Sequence, residues 1–219
     1  MNRQKPEKLP LFSKDNLIYD FTKITAGLPG LLWLRPKWLY ESKAARKRLR
    51  GGHLVIANHA GFFDPIYVMI AVWYRRHRFI CGKEFFESKA GRLFRAFHCI
   101  PVDRGNFRID TLRQISDALQ AGAIVSLFPE GHVNDGSGEM ATFKSGMVLM
   151  ALQGKAPIVP VYVLPPKPRY RRLRLVIGEP IDIIARYGSR PSFSKIDEIA
   201  VMLQEKEERL KELAEADLH

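Results

Sequence analysis

The chain has very little cysteine. Only Cys81 and Cys99 occur among its 219 residues, and they lie in apolar stretches without a zinc-type spacing. Two cysteines do not make the disulfide framework of a small secreted domain, so we expect a reducing compartment. The spacing also predicts no metal site.

The chain also lacks long apolar runs. None approaches the roughly 20 residues that a helix needs to span a bilayer. The first ten residues are polar and do not contain the apolar core of a signal peptide. These absences argue against a membrane-spanning helix and against secretion.

Positive charge is present in excess. The formal net charge is +12, while the hydrophobic content of 46% and the charged content of 26% are those of a globular protein. The length favours one domain with a substantial core. The charge indicates an anionic partner: nucleic acid, anionic lipid headgroups or a phosphorylated substrate.

Residues 17–40 combine large apolar side chains with a basic cluster that follows closely. The apolar residues are Leu28, Leu31, Leu32, Trp33, Leu34, Trp38, Leu39 and Tyr40. The basic residues are Arg35, Lys37, Lys43, Arg46, Lys47, Arg48 and Arg50. This combination favours contact with an anionic membrane surface. The alternative is a helix that packs on the core with its basic residues in water.

The rest of the chain alternates apolar strands with helices. Strands are predicted at 53–57, 78–82, 98–102, 123–128, 158–164 and 173–177. Helices are predicted at 65–74, 84–97, 110–121, 143–153 and 194–216. We therefore expect an α/β fold: a single domain with a largely parallel central sheet flanked by helices, preceded by an N-terminal amphipathic helical segment. Residues 1–50 would form the basic membrane-association segment and 51–219 the α/β domain. The short connection at 165–168 predicts an antiparallel last strand.

The sequence places His59 directly after a buried strand and Asp64 five residues later, before a helix. A histidine at the carboxyl end of a strand can act as a general base, and a nearby aspartate can hold its tautomer. The alternative is structural: Asp64 and Pro65 also make a good helix start, and His59 would then be an ordinary loop residue.

Two other strands end in polar residues that could share a crevice with His59. Arg104 offers a planar fork for a phosphate, which Asp103 could orient. Glu130 follows a buried strand and could bind a substrate hydroxyl or an arginine, while Gly131 permits close approach of a ligand. The alternatives are a structural Asp–Arg turn and a solvated acid in a turn.

Together these stretches resemble the glycerophospholipid acyltransferase family, whose best-known members make phosphatidic acid from lysophosphatidic acid. Its N-H-x-x-x-x-D motif is similar to residues 58–64, its second motif to 100–105, its F-P-E-G motif to 128–131 and its V-P-V stretch to 159–161. Residues 83–85 resemble its K-E-L segment and 143–146 its F-K-x-G. The likeness covers roughly residues 50–180.

The resemblance implies an O-acyltransferase at the cytoplasmic face of a membrane, peripheral or monotopic. His59 would remove the hydroxyl proton of a lysophospholipid, most simply 1-acylglycerol-3-phosphate, and Asp64 would orient it. The oxygen would attack the thioester of acyl-CoA or an acyl carrier protein directly, with no cofactor and no metal. Substrate-binding residues would be Asn58, Lys83, Arg104, Glu130, Gly131 and Lys144.

One departure concerns the acceptor. The family usually continues F-P-E-G with threonine and arginine, whereas this chain has His132 and Val133. Arg108 or Lys144 would then take over from the missing arginine, or the acceptor would be another lysophospholipid or an acylated amino acid. A hydrolase that uses the same base on water, a nucleic-acid-binding module and His132 as a rival base are weaker alternatives.

Overall fold

The computed structural model of the protein describes residues 16–103, 105, 108–132, 140–167 and 172–218. Within these residues the chain forms seven strands, nine α-helices and one π-helical segment. The strands are β1 (Lys37–Tyr40), β2 (His53–Ala57), β3 (His77–Gly82), β4 (Ile100–Val102), β5 (Ile124–Leu127), β6 (Ile158–Leu164) and β7 (Arg174–Ile177). The helices are α1 (Leu17–Thr22), α2 (Leu28–Leu34), α3 (Asp64–Ala71), α4 (Lys83–Glu87), α5 (Gly91–Ala96), α6 (Ile109–Gln120), α7 (Gly146–Gly154), α8 (Ile183–Tyr187) and α9 (Phe193–Ala216), and the π-helical segment Lys23–Gly27 joins α1 to α2.

The strands form one sheet in the order β1-β7-β6-β2-β5-β3-β4. β2 pairs in parallel with β5 and β6, and β3 with β4 and β5. β7 runs antiparallel to β6, with Val161 opposite Ile177. This confirms the predicted α/β fold with a largely parallel sheet, and it confirms the antiparallel last strand.

Apolar side chains cover both faces of the sheet. In β2, Leu54 and Ile56 belong to a cluster with residues of α6, α7 and α9, whereas Val55 and Ala57 belong to a second cluster with residues of α2 and α3. Successive side chains of a strand point to opposite faces, so a strand between two helix layers is apolar throughout. This explains the continuous apolar run at 54–57, in which every residue is buried.

The N-terminal helices lie in the same layer as α3 and confirm the predicted helical segment. The Tyr19 hydroxyl accepts a hydrogen bond from the backbone N–H of His77, the first residue of β3. Further along, the Leu34 carbonyl accepts one from Leu173 N–H, next to the end of β6. The segment therefore runs from the amino-terminal to the carboxyl-terminal edge of the parallel strands. In the described part of the chain, no helix is both long and apolar enough to cross a membrane.

Two elements differ from the sequence-based prediction. Residues 37–40, assigned to the membrane-association segment, form the edge strand β1, because β7 leaves one edge open for backbone pairing. The helix predicted at 84–97 is split into α4 and α5. At Gly91 the backbone carbonyl of Phe86 comes so close that a Cβ atom would lie 2.1 Å from it. The division of the chain at residue 50 stays a prediction.

Candidate active site

The carboxyl ends of β2, β3, β4 and β5 lie at one edge of the sheet. These strands are parallel and adjacent, so the residues that follow them share this edge. They are His59 after β2, Lys83 after β3, Asp103 after β4 and Glu130 after β5. This arrangement is the crevice in which open α/β sheets place their ligands.

His59 and Asp64 are in direct contact. The imidazole Nδ1 lies 3.0 Å from Asp64 Oδ2, and the Gly61 backbone N–H donates to the same oxygen at 2.7 Å. Asp64 is the first residue of α3, but its side chain makes no hydrogen bond at the helix N-cap. Its carboxylate is directed back to the loop and to His59, so the structural alternative does not account for these contacts.

The contact fixes the tautomer of His59. A carboxylate can only accept, so Nδ1 carries the hydrogen and Nε2 keeps a lone pair. The described residues provide no hydrogen-bond partner for Nε2. The Phe128 ring stacks on the imidazole at 4.1 Å between centroids, while 16% of the His59 side chain stays exposed. A supported ring with a free basic nitrogen is the geometry of a general base.

Glu130 holds the backbone of the histidine loop. One carboxylate oxygen accepts the His59 N–H at 2.9 Å, and the other accepts the Ala141 N–H at 3.1 Å. Only 1% of Glu130 is exposed. These contacts tie the end of β5 to the end of β2. The predicted substrate contact of Glu130 stays a prediction.

Asn58 extends the pairing of β2 with β6. Its side-chain nitrogen donates to the Val163 carbonyl at 3.0 Å, and its side-chain oxygen accepts the Val163 N–H at 2.7 Å. Both ends of the carboxamide are therefore bound to backbone, and Asn58 sets the point at which the chain leaves the sheet for His59. A substrate contact of Asn58 also stays a prediction.

Lys83 pairs with Asp103 at the end of β4. Its ammonium group lies 2.6 Å from Asp103 Oδ2, and the hydrogen bond raises the pKa of the lysine. Asp103 also accepts the Gly105 N–H at 3.0 Å. Arg104, the predicted phosphate clamp between them, lies outside the described residues.

Lys144 passes over the Gly131 backbone. Gly131 has a φ of +77°, and a Cβ atom there would lie 2.9 Å from the Lys144 ammonium nitrogen. Glycine is favoured at this φ, and here it leaves room for the lysine. His132 is exposed, whereas the aspartate contact belongs to His59, so the geometry favours His59 over His132. Val133 lies outside the described residues.

Sequence reasoning missed two residues around the site. It gave no role to Phe128, although this ring stands directly after β5 and two residues before Glu130. It also missed Glu207 of α9, which is fully buried. The available signal was an acid at an apolar position: Leu203, Glu207 and Leu210 follow one another at helical intervals.

A separate cavity of about 630 Å³ lies at the opposite end of the parallel strands, near their amino-terminal residues. Its walls include Asp20, Trp73, Arg76 and His77, and Asp20 accepts two hydrogen bonds from the Arg76 guanidinium. His77 begins β3, so the cavity is separated from His59 by the length of the strands. It contains none of the predicted site residues.

Comparison with known proteins finds acyltransferases that are similar in sequence and in fold. The chain is 29% identical over 168 residues to a 1-acyl-sn-glycerol-3-phosphate acyltransferase of Bacillus subtilis, covering 74% of this chain and 81% of the relative. It is 27% identical to the enzyme of the same name from Streptococcus pneumoniae, covering 60% of this chain and 50% of that one. A crystal structure of a 1-acyl-sn-glycerophosphate acyltransferase from Thermotoga maritima has the same fold, with a TM-score of 0.63 and 20% identity over 92% of this chain and 83% of that one.

A family model described as acyltransferase matches residues 40–164. This range is more than half of the chain and includes the His59–Asp64 pair, Lys83, Glu130 and the V-P-V stretch of β6. The resemblance noted from the motifs is thereby confirmed, and the chain belongs to the acyltransferase family.

Proposed function

We propose that the protein transfers a fatty acyl group from the thioester of acyl-CoA or an acyl carrier protein to the free hydroxyl of a lysophospholipid, with 1-acylglycerol-3-phosphate as the first candidate. The contact between His59 and Asp64 carries this proposal. The names of the relatives support the acceptor, and the excess of positive charge suits a phosphorylated lipid.

The proposed reaction is a direct transfer. His59 Nε2 takes the hydroxyl proton while the oxygen attacks the thioester carbonyl. The tetrahedral intermediate collapses, the carbon–sulfur bond breaks, and the imidazolium returns the proton to the leaving thiolate. Asp64 stabilises the imidazolium between these steps. Both substrates supply the reacting bonds, so this route needs no bound cofactor.

Cations at the same edge supply the proposed phosphate contacts. Lys83 at the start of α4 and Lys144 just before α7 are both exposed. Arg104 follows β4 in the sequence. Two or more of them would bind the acceptor phosphate by charge-assisted hydrogen bonds. His132 stands where relatives of this type usually carry threonine, so a different lysophospholipid is the second candidate acceptor.

We further propose that the N-terminal helices bind an anionic membrane. Their outward side chains are large and apolar, and Phe21, Ile24, Leu28 and Leu32 follow one another at intervals of three or four residues with 41–80% exposure. Such a stripe is unusual in water and suits the headgroup layer of a bilayer. Phe62, next to the catalytic histidine, is also 85% exposed. Sedimentation with anionic vesicles at low and high salt tests this association.

Acyl transfer tests the function directly. The purified protein is incubated with labelled acyl-CoA or labelled acyl carrier protein and a panel of lysophospholipids, and the labelled product is identified. We expect H59A to lose activity by about 10²–10⁴-fold, which is the usual contribution of a positioned base. H132A is the matched control, because this second histidine lies at the same end of the strands and contacts no aspartate among the residues that the structure describes. Near-normal turnover by H59A, or a comparable loss in H132A, would refute the assignment of the base.

A further inference from the structure

Glu207 occupies a position of α9 where the pattern favours an apolar residue. Leu203, Leu210 and Ala214 form the buried stripe of this helix, and Glu207 lies on the same stripe with none of its surface exposed. Neither of its carboxyl oxygens has a hydrogen-bond partner among the described residues. A buried carboxyl group loses its hydration, and such a group needs a physical explanation.

This part of α9 packs against the loop that completes the active site. Gln204, one turn before Glu207, accepts a hydrogen bond from the Phe143 N–H at 3.1 Å. In the same loop segment, the Ala141 N–H donates to Glu130. Glu207 therefore lies on the helix face that supports the Glu130 loop.

Burial is the largest influence on the charge of Glu207, and it raises the pKa of this carboxyl group well above its ordinary value. The negative charge of Glu130 raises the pKa further. The backbone N–H of Asn58 favours the charged form, but its geometry falls short of a hydrogen bond. Burial and the neighbouring carboxylate therefore both favour the protonated form of Glu207.

Lys144, in the loop that packs against α9, is exposed and its ammonium group lies over Gly131. The helix and strands packed on α9 contribute no unpaired cation among the described residues. α7 and β6 carry no charged side chain, and the titratable group of β6 is the phenol of Tyr162. In β7, Arg174 pairs with Asp217 at the far end of α9. On α9 itself, Lys206 pairs with Glu41.

We propose that Glu207 is a positioning residue, whose carboxyl group donates a hydrogen bond to Glu130 through one bridging water and so keeps Glu130 on the His59 backbone. Each Glu130 oxygen accepts one backbone N–H and has a further lone pair for this donor. Loss of the Glu207 proton, as pH rises through its raised pKa, would bring a second negative charge behind Glu130 and displace the loop. The kinetic part of this inference rests on the proposed acyl transfer.

Three variants test the proposal. E207Q keeps a donor of the same shape and cannot ionise, whereas E207L completes the apolar stripe and removes the donor. E205Q removes a charge two residues earlier, on the exposed side of the same helix, and is the matched control. Turnover is measured from pH 6 to 10, together with KM and thermal unfolding at pH 8.

We expect E207L to be more stable than the wild type and yet to turn over at least about tenfold more slowly, because a displaced base loses rate steeply. E207Q should keep neutral turnover within about twofold and lose the alkaline decline. Both variants should unfold at least about 2 °C above the wild type at pH 8, since they remove the cost of keeping a buried acid protonated, and E205Q should change neither property.

The opposite results would overturn the proposal. Wild-type turnover in E207L would remove the positioning role, and an unchanged alkaline decline in E207Q would remove the titration of Glu207. If the wild type transfers no acyl group at all, the proposed function fails, while the unfolding temperatures still decide whether Glu207 is protonated.

Discussion

The substitution of Asp64 by asparagine separates the two tasks of this carboxylate. One oxygen, Oδ2, accepts from both His59 Nδ1 and the Gly61 N–H, at 3.0 and 2.7 Å. In D64N the amide must therefore present its oxygen at this point, because an NH₂ group would face the N–H of Gly61. The asparagine oxygen would still accept from Nδ1, so D64N keeps the active tautomer of His59 and loses only the negative charge.

The expected loss follows from hydrogen-bond energies. A bond to a charged group contributes about 1.5–3 kcal/mol and a neutral one about 0.5–1.5, so the imidazolium in D64N loses roughly 1–2 kcal/mol of stabilisation. At 1.36 kcal/mol per decade this is about a 5- to 30-fold decrease in kcat. D64A also loses control of the tautomer and leaves the Gly61 N–H without an acceptor. We expect a decrease of about 10²–10⁴-fold there, and a decrease in the free energy of unfolding of about 1–3 kcal/mol.

The assay compares kcat of wild type, D64N and D64A with the same donor and acceptor, with circular dichroism as the control for folding. The order wild type, D64N, D64A is the prediction. Equal losses in D64N and D64A would refute the shared acceptor oxygen, because the amide would then have its NH₂ group towards the imidazole. Wild-type turnover in D64N would refute a role for the charge.

Two further predictions concern the membrane and acid stability. F62S/F63S should weaken sedimentation with anionic vesicles by several-fold and lower turnover on a vesicle-bound acceptor more than on a short-chain soluble acceptor. The control F193S removes an equally exposed ring on α9 (84% against 85% for Phe62) and should change neither property. Equal effects of F62S/F63S and F193S would contradict membrane contact through the loop of Phe62 and Phe63. Burial of His77 lowers its pKa to about 3. Below about pH 6.5 this histidine is therefore protonated in the unfolded chain but stays neutral in the folded protein. The free energy of unfolding falls by up to roughly 5 kcal/mol as pH drops from 6.5 towards 3. H77Q should flatten this dependence in urea unfolding, and an unchanged slope would show that other groups cause it.

Much of the fold could be predicted because local pattern and tertiary role agree. The apolar run at 54–57 is buried by helices on both sides of the sheet, and such a run is typical of a central parallel strand. β1 could not be predicted in this way. Pro36 marks the end of the preceding helix, but the strand pairing of the four residues of β1 depends on β7, more than 130 positions later.

The candidate site shows the same division. The spacing of His59 and Asp64 is local, so the sequence was enough to predict their contact, which the geometry confirms. The partners of Glu130 are not local. Its bond to the His59 N–H joins residues 71 positions apart, and no periodic pattern encodes that distance.

The sequence by itself determined which strands are buried, which motif holds the His59–Asp64 pair, and which family the chain belongs to, because each of these depends on neighbouring residues. Only the tertiary structure decided that Asn58 is bound to β6, that Glu130 holds the histidine loop and that Glu207 is buried on α9 with no hydrogen-bond partner in the described part of the chain. These are contacts between residues distant in the chain. Their energies depend on burial and on charge, which arise only when the helices and the sheet have packed together.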